Sequence, residues 1–401
     1  MGLSMAKPCI LLTQTPVLFC FASQGHLQRY LDDCIMNSHI LFLTLETFSR
    51  TGGIQQVCRN LAKALEQVCA RVMLFSVCDS DEDLLNKYLK KPYFRGFRRN
   101  KLAFVFHTLR EARNHQILLL AHINLLPIAY LVKILYPRKR IIMLAHGIEV
   151  WKPLDSLQRY FLNKHTEIWA VSAFTKSKMI RDNHIEVSKI NVLLNCLDPF
   201  FRAPKAFAKP AELLKRYELT NDQPVILSVC RLSQFERKKG YDLVIHAMPK
   251  LLQLYPSLRY YMVGAYDYLE KQRLEALIRK LGLAAHVHLL GVINEEELSS
   301  HYLLGDVFAL PSQKEGFGLV LIEAAASGCM VVGGNQDGSL EALLGGEIGR
   351  LVDPKDADQL ICTLCSCLSD LSRNHSPATQ RQALNSFSYS TYKKNVQMLL
   401  S

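Results

Sequence analysis

Short apolar runs alternate with helical patterns along most of this chain, and the alternation restricts the possible fold more than any other feature. Each run is four to six residues long and almost free of polar side chains. Such runs are typical of parallel strands that helices cover on both faces. They fall at 40–45, 72–77, 117–121, 141–145 and 168–171, and again at 225–229, 260–263, 287–290, 307–310 and 330–333. The pattern predicts an α/β fold with two parallel sheets.

Prolines separate the two series of runs and predict the domain organisation. Residues 201–223 contain Pro204 and Pro210 and end before Pro224, so we expect them to be a linker. Residues 1–35 are predicted to be an extension, which is either disordered or the result of a start codon assigned too far upstream. The other predicted units are an N-terminal domain at 36–200, a C-terminal domain at 224–385 and a helix at 386–401 that crosses back to the N-terminal domain. Two such doubly wound domains face a central cleft, where the carboxyl ends of their strands bind ligands.

The segment 305–328 contains a strand run, a polar loop with Gly316 and Gly318, and a helical pattern. Such a loop leaves backbone N–H groups and the positive end of the helix dipole facing one point, where phosphate binds readily. Glu315 lies in the loop and Glu323 inside the helix, so two carboxylates flank that point. A carboxylate accepts paired hydrogen bonds from a vicinal diol. The other interpretation, a solvated helix face, fits less well because Glu323 lies among Leu, Ile and Ala side chains.

At these residues the chain resembles the retaining GT-B glycosyltransferases of family 4, the glycosyl transferases group 1. Their Glu-x7-Glu element matches Glu315 to Glu323, and the resemblance extends over roughly residues 38–401. It implies a GT-B architecture of two Rossmann-like domains around the cleft. It also implies that Glu315 contacts the donor sugar and that Glu323 holds the ribose of the nucleotide. The other donor-binding residues of this element would be Gly316, Phe317, Gly318 and Leu319.

Two cations follow the first strand of the C-terminal domain. Arg231 stands where that strand ends, and Lys239 comes directly before Gly240 at the start of the next helix. Both can meet a diphosphate where a helix N-terminus also points, and the family resemblance implies that they bind the donor diphosphate. The resemblance also implies that the loop at Val292 borders the nucleobase. The chain has no GxGxxG fingerprint, which argues against a dinucleotide oxidoreductase.

The N-terminal domain contributes two features to the predicted cleft. Gly52 and Gly53 form a loop after the first strand, which lets the backbone approach a ligand closely. His146 stands at the carboxyl end of another strand, and the family resemblance implies that it contacts the donor sugar. Without the resemblance, a structural histidine would be the better interpretation. His122, also at a strand end, is a candidate for the acceptor side.

Positive charge concentrates in the first half of the chain. Residues 1–200 hold 26 Lys and Arg against 15 Asp and Glu, a net charge of +11, whereas residues 201–401 hold 22 against 21, a net charge of +1. The basic segment, residues 87–101, has no acid and contains Lys87, Lys90, Lys91, Arg95, Arg98, Arg99 and Lys101, interleaved with Tyr88, Leu89, Tyr93, Phe94 and Phe97. This composition suits an anionic membrane surface. A solvated loop is the alternative, and no recognised motif supports a nucleic-acid partner.

The sequence does not predict a metal site or another cofactor. Asp79 and Asp81 imitate the D-x-D of metal-dependent GT-A enzymes, but further acids follow them, which predicts a solvated loop. The twelve cysteines are scattered in apolar surroundings, as thiols of a reducing compartment are. The group Cys362, Cys365 and Cys367 has neither a second pair nor a nearby His, so it does not suit zinc.

The residues and the resemblance together predict a retaining, metal-independent hexosyltransferase with four catalytic residues, His146, Arg231, Lys239 and Glu315. Its partners would be a UDP- or GDP-sugar and a hydroxyl of a saccharide or lipid-linked glycan, in the synthesis of cell-surface polysaccharide or glycolipid. The alternatives are a GT-B nucleotide-sugar epimerase or hydrolase and a non-catalytic, membrane-associated scaffold. No apolar run reaches the length of about 20 residues that spans a bilayer. We therefore expect a cytoplasmic protein, peripheral on the inner face of the membrane.

Overall fold

A parallel sheet of seven strands organises the first domain in the computed structural model, which describes residues 38–369 and 376–401. The strands are β1 His39–Thr44, β2 Arg71–Ser76, β3 Phe94–Gly96, β4 Ile117–Leu120, β5 Arg140–Ala145, β6 Glu167–Ala170 and β7 Ile190–Val192. Their order in the sheet is β3-β2-β1-β4-β5-β6-β7. The extension expected at 1–35 lies outside the described residues.

The second domain has a parallel sheet of six strands. They are β8 Val225–Val229, β9 Arg259–Val263, β10 Val287–Gly291, β11 Val307–Leu310, β12 Met330–Gly334 and β13 Arg350–Val352, in the order β10-β9-β8-β11-β12-β13. Successive strands are added on one side of β1 and then, from β4 onward, on its other side, and the same change of side occurs between β8 and β11. Those two places are the switch points at which doubly wound sheets bind ligands.

Helices cover both sheets. Those of the first domain are α1 Gly53–Val68, α2 Lys101–Ala112, α3 Leu126–Leu135, α4 Ile148–Trp151, α5 Ser156–His165 and α6 Ala173–Asn183. Those that follow are α7 Ala211–Arg216, α8 Tyr241–Leu254, α9 Tyr268–Lys280, α10 Glu295–Leu304, α11 Leu319–Ala326, α12 Ser339–Ala342, α13 Ala357–Leu368, α14 Pro377–Ser386 and α15 Tyr389–Leu400. No helix in these ranges is long and apolar enough to cross a bilayer.

Each sheet is buried on both faces, as its continuous apolar strands predict. In β1, Leu41 and Leu43 join the core under α2, α3 and α5, whereas Ile40 and Phe42 join the core under α1 and α15. The alternation follows from the two-residue period of a strand. All ten predicted strands are present, and the predicted α/β fold with two parallel sheets is confirmed.

The final helix packs on the first domain. Tyr392, Val396 and Leu400 of α15 lie in the core beneath α1. The Arg140 guanidinium donates to the carbonyl oxygens of Leu399 at 2.6 Å and Leu400 at 2.8 Å. The chain therefore begins and ends its described part in the same domain.

The structure differs from the linker expected at 201–223. This segment contains α7, whose Leu213 lies with Leu219 in the core of the second domain. Prolines on both sides hide this short helix in the sequence, because they suggest irregular chain. Pro210 in fact precedes the first turn of α7, where a proline is compatible with a helix. The linker is shorter than predicted.

Candidate active site

Lys239 and Glu315 form an ion pair at the carboxyl edge of the second sheet. Lys239 Nζ lies 2.5 Å from Glu315 Oε2, and each side chain is 17% exposed. Burial disfavours the charged ammonium, but the Glu315 carboxylate outweighs this effect and raises the pKa of Lys239. The pair comes from the loops after β8 and β11, so it lies at the switch point of this sheet.

Gly240 lets these two loops approach each other. Its φ is 88°, and a methyl group there would overlap with the carbonyl group of Pro311. A side chain would both strain the backbone and push the turn with Lys239 away from the loop with Glu315. A glycine is therefore required after Lys239 for these two loops to pack together.

Arg231 faces the first domain across the cleft. Arg231 is the second residue after β8, and its side chain is 53% exposed. Its Nη1 lies 3.5 Å from Glu236 Oε1. A methyl group on Gly52 would lie 3.6 Å from Arg231 Nη2, whereas a methyl on Gly53 would meet nothing within 4 Å. The Gly52–Gly53 loop and Arg231 therefore border the same open space.

Helix α11 directs its N-terminus at this space. Gly318 precedes the helix with a φ of 98°, and no side chain caps it, so the first N–H groups are left for a ligand. Leu319 begins the helix and is partly buried. The side chain of Phe317, expected to bind the donor, instead packs edge-to-face on Phe387 in the core. Only the backbone of Phe317 remains to face a donor.

Glu323 lies one turn further along α11 in a partly buried position. Burial raises the pKa of Glu323 to about 7, and Tyr302 Oη donates a hydrogen bond of 2.9 Å to its Oε2. Asp198 and Glu295 add to the upward shift, while Arg59 opposes it. Because Arg59 and Asp198 belong to the first domain, Glu323 stands where the two domains meet.

His146 is buried at the end of β5. Its Nε2 lies 2.7 Å from the carbonyl oxygen of Ala121, which only accepts, so Nε2 carries the proton. Burial lowers the pKa of His146, which favours this neutral form. Nδ1 is buried and, among the described residues, has no hydrogen-bond partner, so its lone pair can accept a hydrogen bond from a hydroxyl group. His122 is partly buried at the end of the adjacent β4, with Nδ1 accepting from Asn124 N–H at 3.1 Å.

The two domains touch at His146. A methyl group on Gly316 would overlap with the carbonyl oxygen of His146, so the loops meet backbone to backbone. Ser172 Oγ donates to the Gly316 carbonyl oxygen at 2.7 Å. Nearby, the Glu341 carboxylate accepts from the N–H groups of Ala173 at 2.6 Å and Phe174 at 2.8 Å, at the N-terminus of α6. These contacts bring His146 next to the Glu315 loop.

Two family models match this chain. The model for Glycosyl transferases group 1 matches residues 211–382, and the model for Glycosyltransferase Family 4 matches residues 51–200. Between them they cover most of both domains. The chain belongs to the group 1 glycosyltransferases.

Relatives of this group 1 glycosyltransferase include two proteins of Mycolicibacterium smegmatis. A GDP-mannose-dependent alpha-(1-6)-phosphatidylinositol monomannoside mannosyltransferase is 33% identical over 252 residues, which are 58% of this chain and 62% of that protein. A phosphatidyl-myo-inositol mannosyltransferase is 34% identical over 137 residues, which are 34% of each chain. The match therefore spans less than two thirds of either relative.

Solved structures share the fold of this group 1 glycosyltransferase. HepE of Anabaena in complex with UDP has a TM-score of 0.75 at 20% identity, and the match covers 90% of this chain and 99% of that one. Sucrose-phosphate synthase of Thermosynechococcus elongatus has a TM-score of 0.74 at 19% identity, over 90% and 98% of the two chains. The predicted GT-B architecture is confirmed.

Three residues of this group 1 glycosyltransferase support the site without having been predicted. Buried Asp337 accepts from the Glu315 N–H at 2.7 Å and from Ser312 Oγ at 2.8 Å, so it fixes the Glu315 loop. Burial raises the pKa of Asp337 to about 6. Tyr302 holds Glu323, and Glu341 joins the domains. The only signal in the sequence is that Asp337 follows a strand run, as ligand-binding acids also do.

Asp79 has a structural role, which corrects the expected solvated loop. It is fully buried, and Oδ2 accepts from Thr47 N–H at 2.8 Å and from Ser76 Oγ at 2.7 Å. Oδ1 accepts from Ser49 N–H at 3.1 Å. Asp79 therefore fixes the chain that leads from β1 to the Gly52–Gly53 loop. Asp81 Oδ1 accepts from the Gly96 N–H at 2.7 Å, and the described residues contain no cluster of three or more metal-ligand side chains.

The basic segment differs from its expected membrane-facing form. Four of its apolar side chains are buried in the core: Tyr88, Leu89, Phe94 and Phe97. Arg98 pairs at 2.7 Å with Glu82, an acid that lies outside the segment. The remaining cations lie on the surface, so only the charged half of the predicted pattern is exposed.

The predicted nucleobase loop lies at the edge of the second sheet. Val292 follows β10 and is 69% exposed, and Gly291 before it has a φ of 74°. The site therefore unites Arg231, Lys239, Glu315, α11 and His146 at the cleft, with Val292 two strands away from β8.

Proposed function

We propose that this chain is a retaining glycosyltransferase that moves a hexose from a nucleoside-diphosphate sugar to a hydroxyl of a lipid-linked glycan. One observation carries the proposal: the Lys239–Glu315 pair and the uncapped start of α11 converge opposite His146. A cation and free N–H groups suit a diphosphate, whereas the carboxylate and the imidazole lone pair suit sugar hydroxyls. Family membership supports the same chemistry.

The proposed step breaks the bond between the anomeric carbon and the diphosphate oxygen. The acceptor oxygen forms its bond to that carbon on the same face, and the acceptor's proton passes to the departing diphosphate. Negative charge grows on the diphosphate as it leaves, so Lys239 and Arg231 would stabilise the transition state more than the bound donor. Glu315 and neutral His146 would orient the sugar, with His146 Nδ1 accepting a hydroxyl hydrogen bond.

The names of related proteins suggest which donors and acceptors to try. The mycobacterial relatives are named for GDP-mannose and for phosphatidylinositol acceptors, whereas HepE was solved with UDP. GDP-mannose and UDP-glucose are therefore the first donors, and phosphatidylinositol and its mannosides the first acceptors. A glycolipid acceptor also suits a peripheral position at the inner face of a membrane.

Product analysis tests the proposed reaction. The protein is incubated with each donor and acceptor, the released nucleoside diphosphate is quantified, and the new linkage is identified by proton NMR. We expect one nucleoside diphosphate per transferred sugar and an α-linkage from an α-configured donor. A β-linked product would contradict retention. Free sugar with no acceptor dependence would favour a hydrolase, and an altered donor sugar would favour an epimerase.

Glu323 should make nucleotide binding depend on pH. If its charged form holds the ribose diol and its pKa is about 7, the binding-competent fraction rises as pH rises through that value. The affinity for nucleoside diphosphate should then increase about tenfold from pH 6 to pH 8. Calorimetric titration at the two pH values measures the change.

The Glu323→Gln variant controls for titration of the phosphate itself. An amide is a weaker acceptor than a carboxylate, so the variant should lose about 1.5 to 3 kcal/mol of binding free energy at pH 8. Its affinity should keep only the pH dependence of the phosphate. Wild-type affinity in Glu323→Gln at pH 8, with the fold intact, would remove Glu323 from the site.

We also propose that the reaction needs no metal, because Lys239, Arg231 and the start of α11 can meet the donor's charge. Treatment with excess EDTA should leave at least half of the activity, with sugar transfer as the measurement. Loss of activity that Mn²⁺ restores would contradict the proposal. A parallel reaction with EDTA saturated by Ca²⁺ controls for effects of the chelator itself.

A further inference from the structure

Three helices of the first domain carry large apolar side chains on the surface. Six such side chains, each between 57% and 85% exposed, are Leu102 and Phe106 on α2, Ile134 and Leu135 on α3, and Leu157 and Tyr160 on α5. Isolated exposed apolar residues are normal, but a contiguous patch indicates a contact surface. We call these six residues the apolar face.

The three helices form one layer, so the six side chains share a surface. Tyr136 Oη, just after α3, donates to the Leu109 carbonyl oxygen of α2 at 3.2 Å. Tyr130 Oη of α3 donates to the Leu157 carbonyl oxygen of α5 at 2.5 Å. The opposite sides of all three helices lie in one core on the same face of the sheet. The spacing of three or four residues then directs the exposed apolar side chains outward together.

The charge around the apolar face is mainly positive, although the exposed acid Asp155 directly precedes α5. Helices α2, α3 and α5 contain five cations, Lys101, Arg110, Lys133, Arg159 and Lys164, against one acid, Glu111. Glu111 is 22% exposed and lies 3.5 Å from Arg71, so its charge is met within the protein. The exposed cations Arg95 and Arg99 of the basic segment lie just before α2.

Cations at the C-terminal ends of α3 and α5 extend the positive region. One depression of about 650 Å³ is lined by four of these cations: Lys133, Arg138 and Lys139, in or after the last turn of α3, and Lys164, at the end of α5. Glu167 is the acid in that depression, and it already accepts from Arg140 at 2.7 Å. Apolar side chains inside a cationic rim match the boundary of an anionic bilayer, where acyl chains lie beneath negative headgroups.

We propose that the apolar face binds an anionic phospholipid bilayer, with its side chains entering the acyl boundary and the surrounding cations contacting the headgroups. The contact differs from the one expected in the basic segment, because four of that segment's five apolar side chains are buried. Binding to the bilayer is independent of the proposed function. Delivery of a lipid-linked acceptor to the cleft rests on the proposed function.

The position of the face suits such delivery. Leu102 and Leu157 lie in the first turns of α2 and α5. Helices that connect parallel strands run opposite to them, so these first turns lie at the carboxyl edge of the sheet, where the cleft is. A bilayer on the apolar face would therefore reach the rim of the cleft near His122.

Vesicle co-sedimentation without donor or acceptor tests the binding. The full chain should sediment with vesicles of equal parts phosphatidylglycerol and phosphatidylcholine, and at least tenfold less with phosphatidylcholine alone. High salt should weaken the binding without abolishing it, because the apolar contact is not screened. Inorganic phosphate should not compete, and competition would replace the bilayer with a simple anion site.

The double variant Phe106→Ser/Ile134→Ser should weaken vesicle binding at least tenfold. Its matched control is Leu254→Ser, which changes a side chain of similar exposure, 64%, at the C-terminal end of α8 in the second domain. The control should sediment like the wild type. Both variants should keep the wild-type melting temperature and nucleotide affinity, because all three side chains are exposed and none of them is a cleft residue.

Three further outcomes would overturn the proposal. The first is wild-type sedimentation of the Phe106→Ser/Ile134→Ser variant. The second is loss of vesicle binding when residues 1–37 are removed, which would assign the contact to that segment. The third is a dimer in gel filtration that the double variant dissociates, together with no vesicle binding, which would make the face an interface between two copies. None of these outcomes bears on sugar transfer to a soluble acceptor, so the proposed function is tested separately.

Discussion

Lys239→Ala should lower kcat roughly a hundred- to a thousandfold at saturating donor, the range found when one preorganised donor to a transition-state oxyanion is removed. Lys239 is fixed by Glu315 at 2.5 Å, and both side chains are only 17% exposed. Under the proposed mechanism its ammonium would therefore meet the leaving diphosphate without needing to reorganise. The variant also leaves the Glu315 carboxylate without its partner, so the orientation of the sugar suffers as well. Steady-state kinetics with saturating donor measure the loss.

Lys250→Ala is the matched control for Lys239→Ala. Lys250 also pairs with a carboxylate, Asp358 at 2.9 Å, but the two side chains are 62% and 83% exposed. Exposed pairs contribute little to stability, so this variant should keep the wild-type kcat. Arg231→Ala should reduce kcat less than Lys239→Ala does, because Arg231 is more exposed. Full kcat in Lys239→Ala would show that another group stabilises the leaving diphosphate.

Gly316→Ala should lower kcat/KM by roughly a hundredfold, the cost of misplacing reacting groups by about 1 Å. The added methyl would overlap with the carbonyl oxygen of His146, and neither atom belongs to a side chain that could rotate away. The two domains would have to separate at this contact. His146 would then lose its place opposite Glu315. Donor kinetics measure the effect, and small-angle scattering should detect the wider cleft.

Gly282→Ala separates this effect from a general loss of stability. A methyl on Gly282 meets nothing within 4 Å, but its φ of 69° makes the substitution strained. This control should lower the melting temperature and keep kcat/KM. Gly316→Ala should instead keep the melting temperature and lower kcat/KM, because its steric overlap lies between the two domains and not inside one of them. Unchanged kcat/KM in Gly316→Ala would show that the observed approach of the domains is not needed for catalysis.

The strands at the centre of each sheet could be predicted because both of their faces are buried. Their sequences are therefore continuous apolar runs, and β8 and β11 have the predicted bounds. The three strands that were not predicted, β3, β7 and β13, have three residues each and lie at sheet edges. An edge strand has fewer buried positions, so a run such as Arg350–Val352 contains no recognisable pattern.

The predicted site residues meet at the cleft because each follows a strand, and all strands of a parallel sheet end at one edge. Sequence position does not reveal the direction of a side chain, however. Phe317 lies in the predicted loop but points into the core, and three of the four aromatic side chains of the basic segment do the same. Asp79 resembles a metal ligand, yet backbone N–H groups and hydroxyls occupy its oxygens. These distinctions depend on contacts between residues far apart in sequence.

Calorimetric titration with nucleoside diphosphates would show whether this cleft holds the diphosphate of a sugar donor. We expect UDP or GDP to bind at one site per chain, at least tenfold more tightly than the corresponding monophosphate. The difference should largely disappear in Lys239→Ala and Arg231→Ala, whose cations would contact the second phosphate. Absence of binding by both diphosphates, or equal affinity for mono- and diphosphate in the wild type, would contradict a diphosphate site in this cleft.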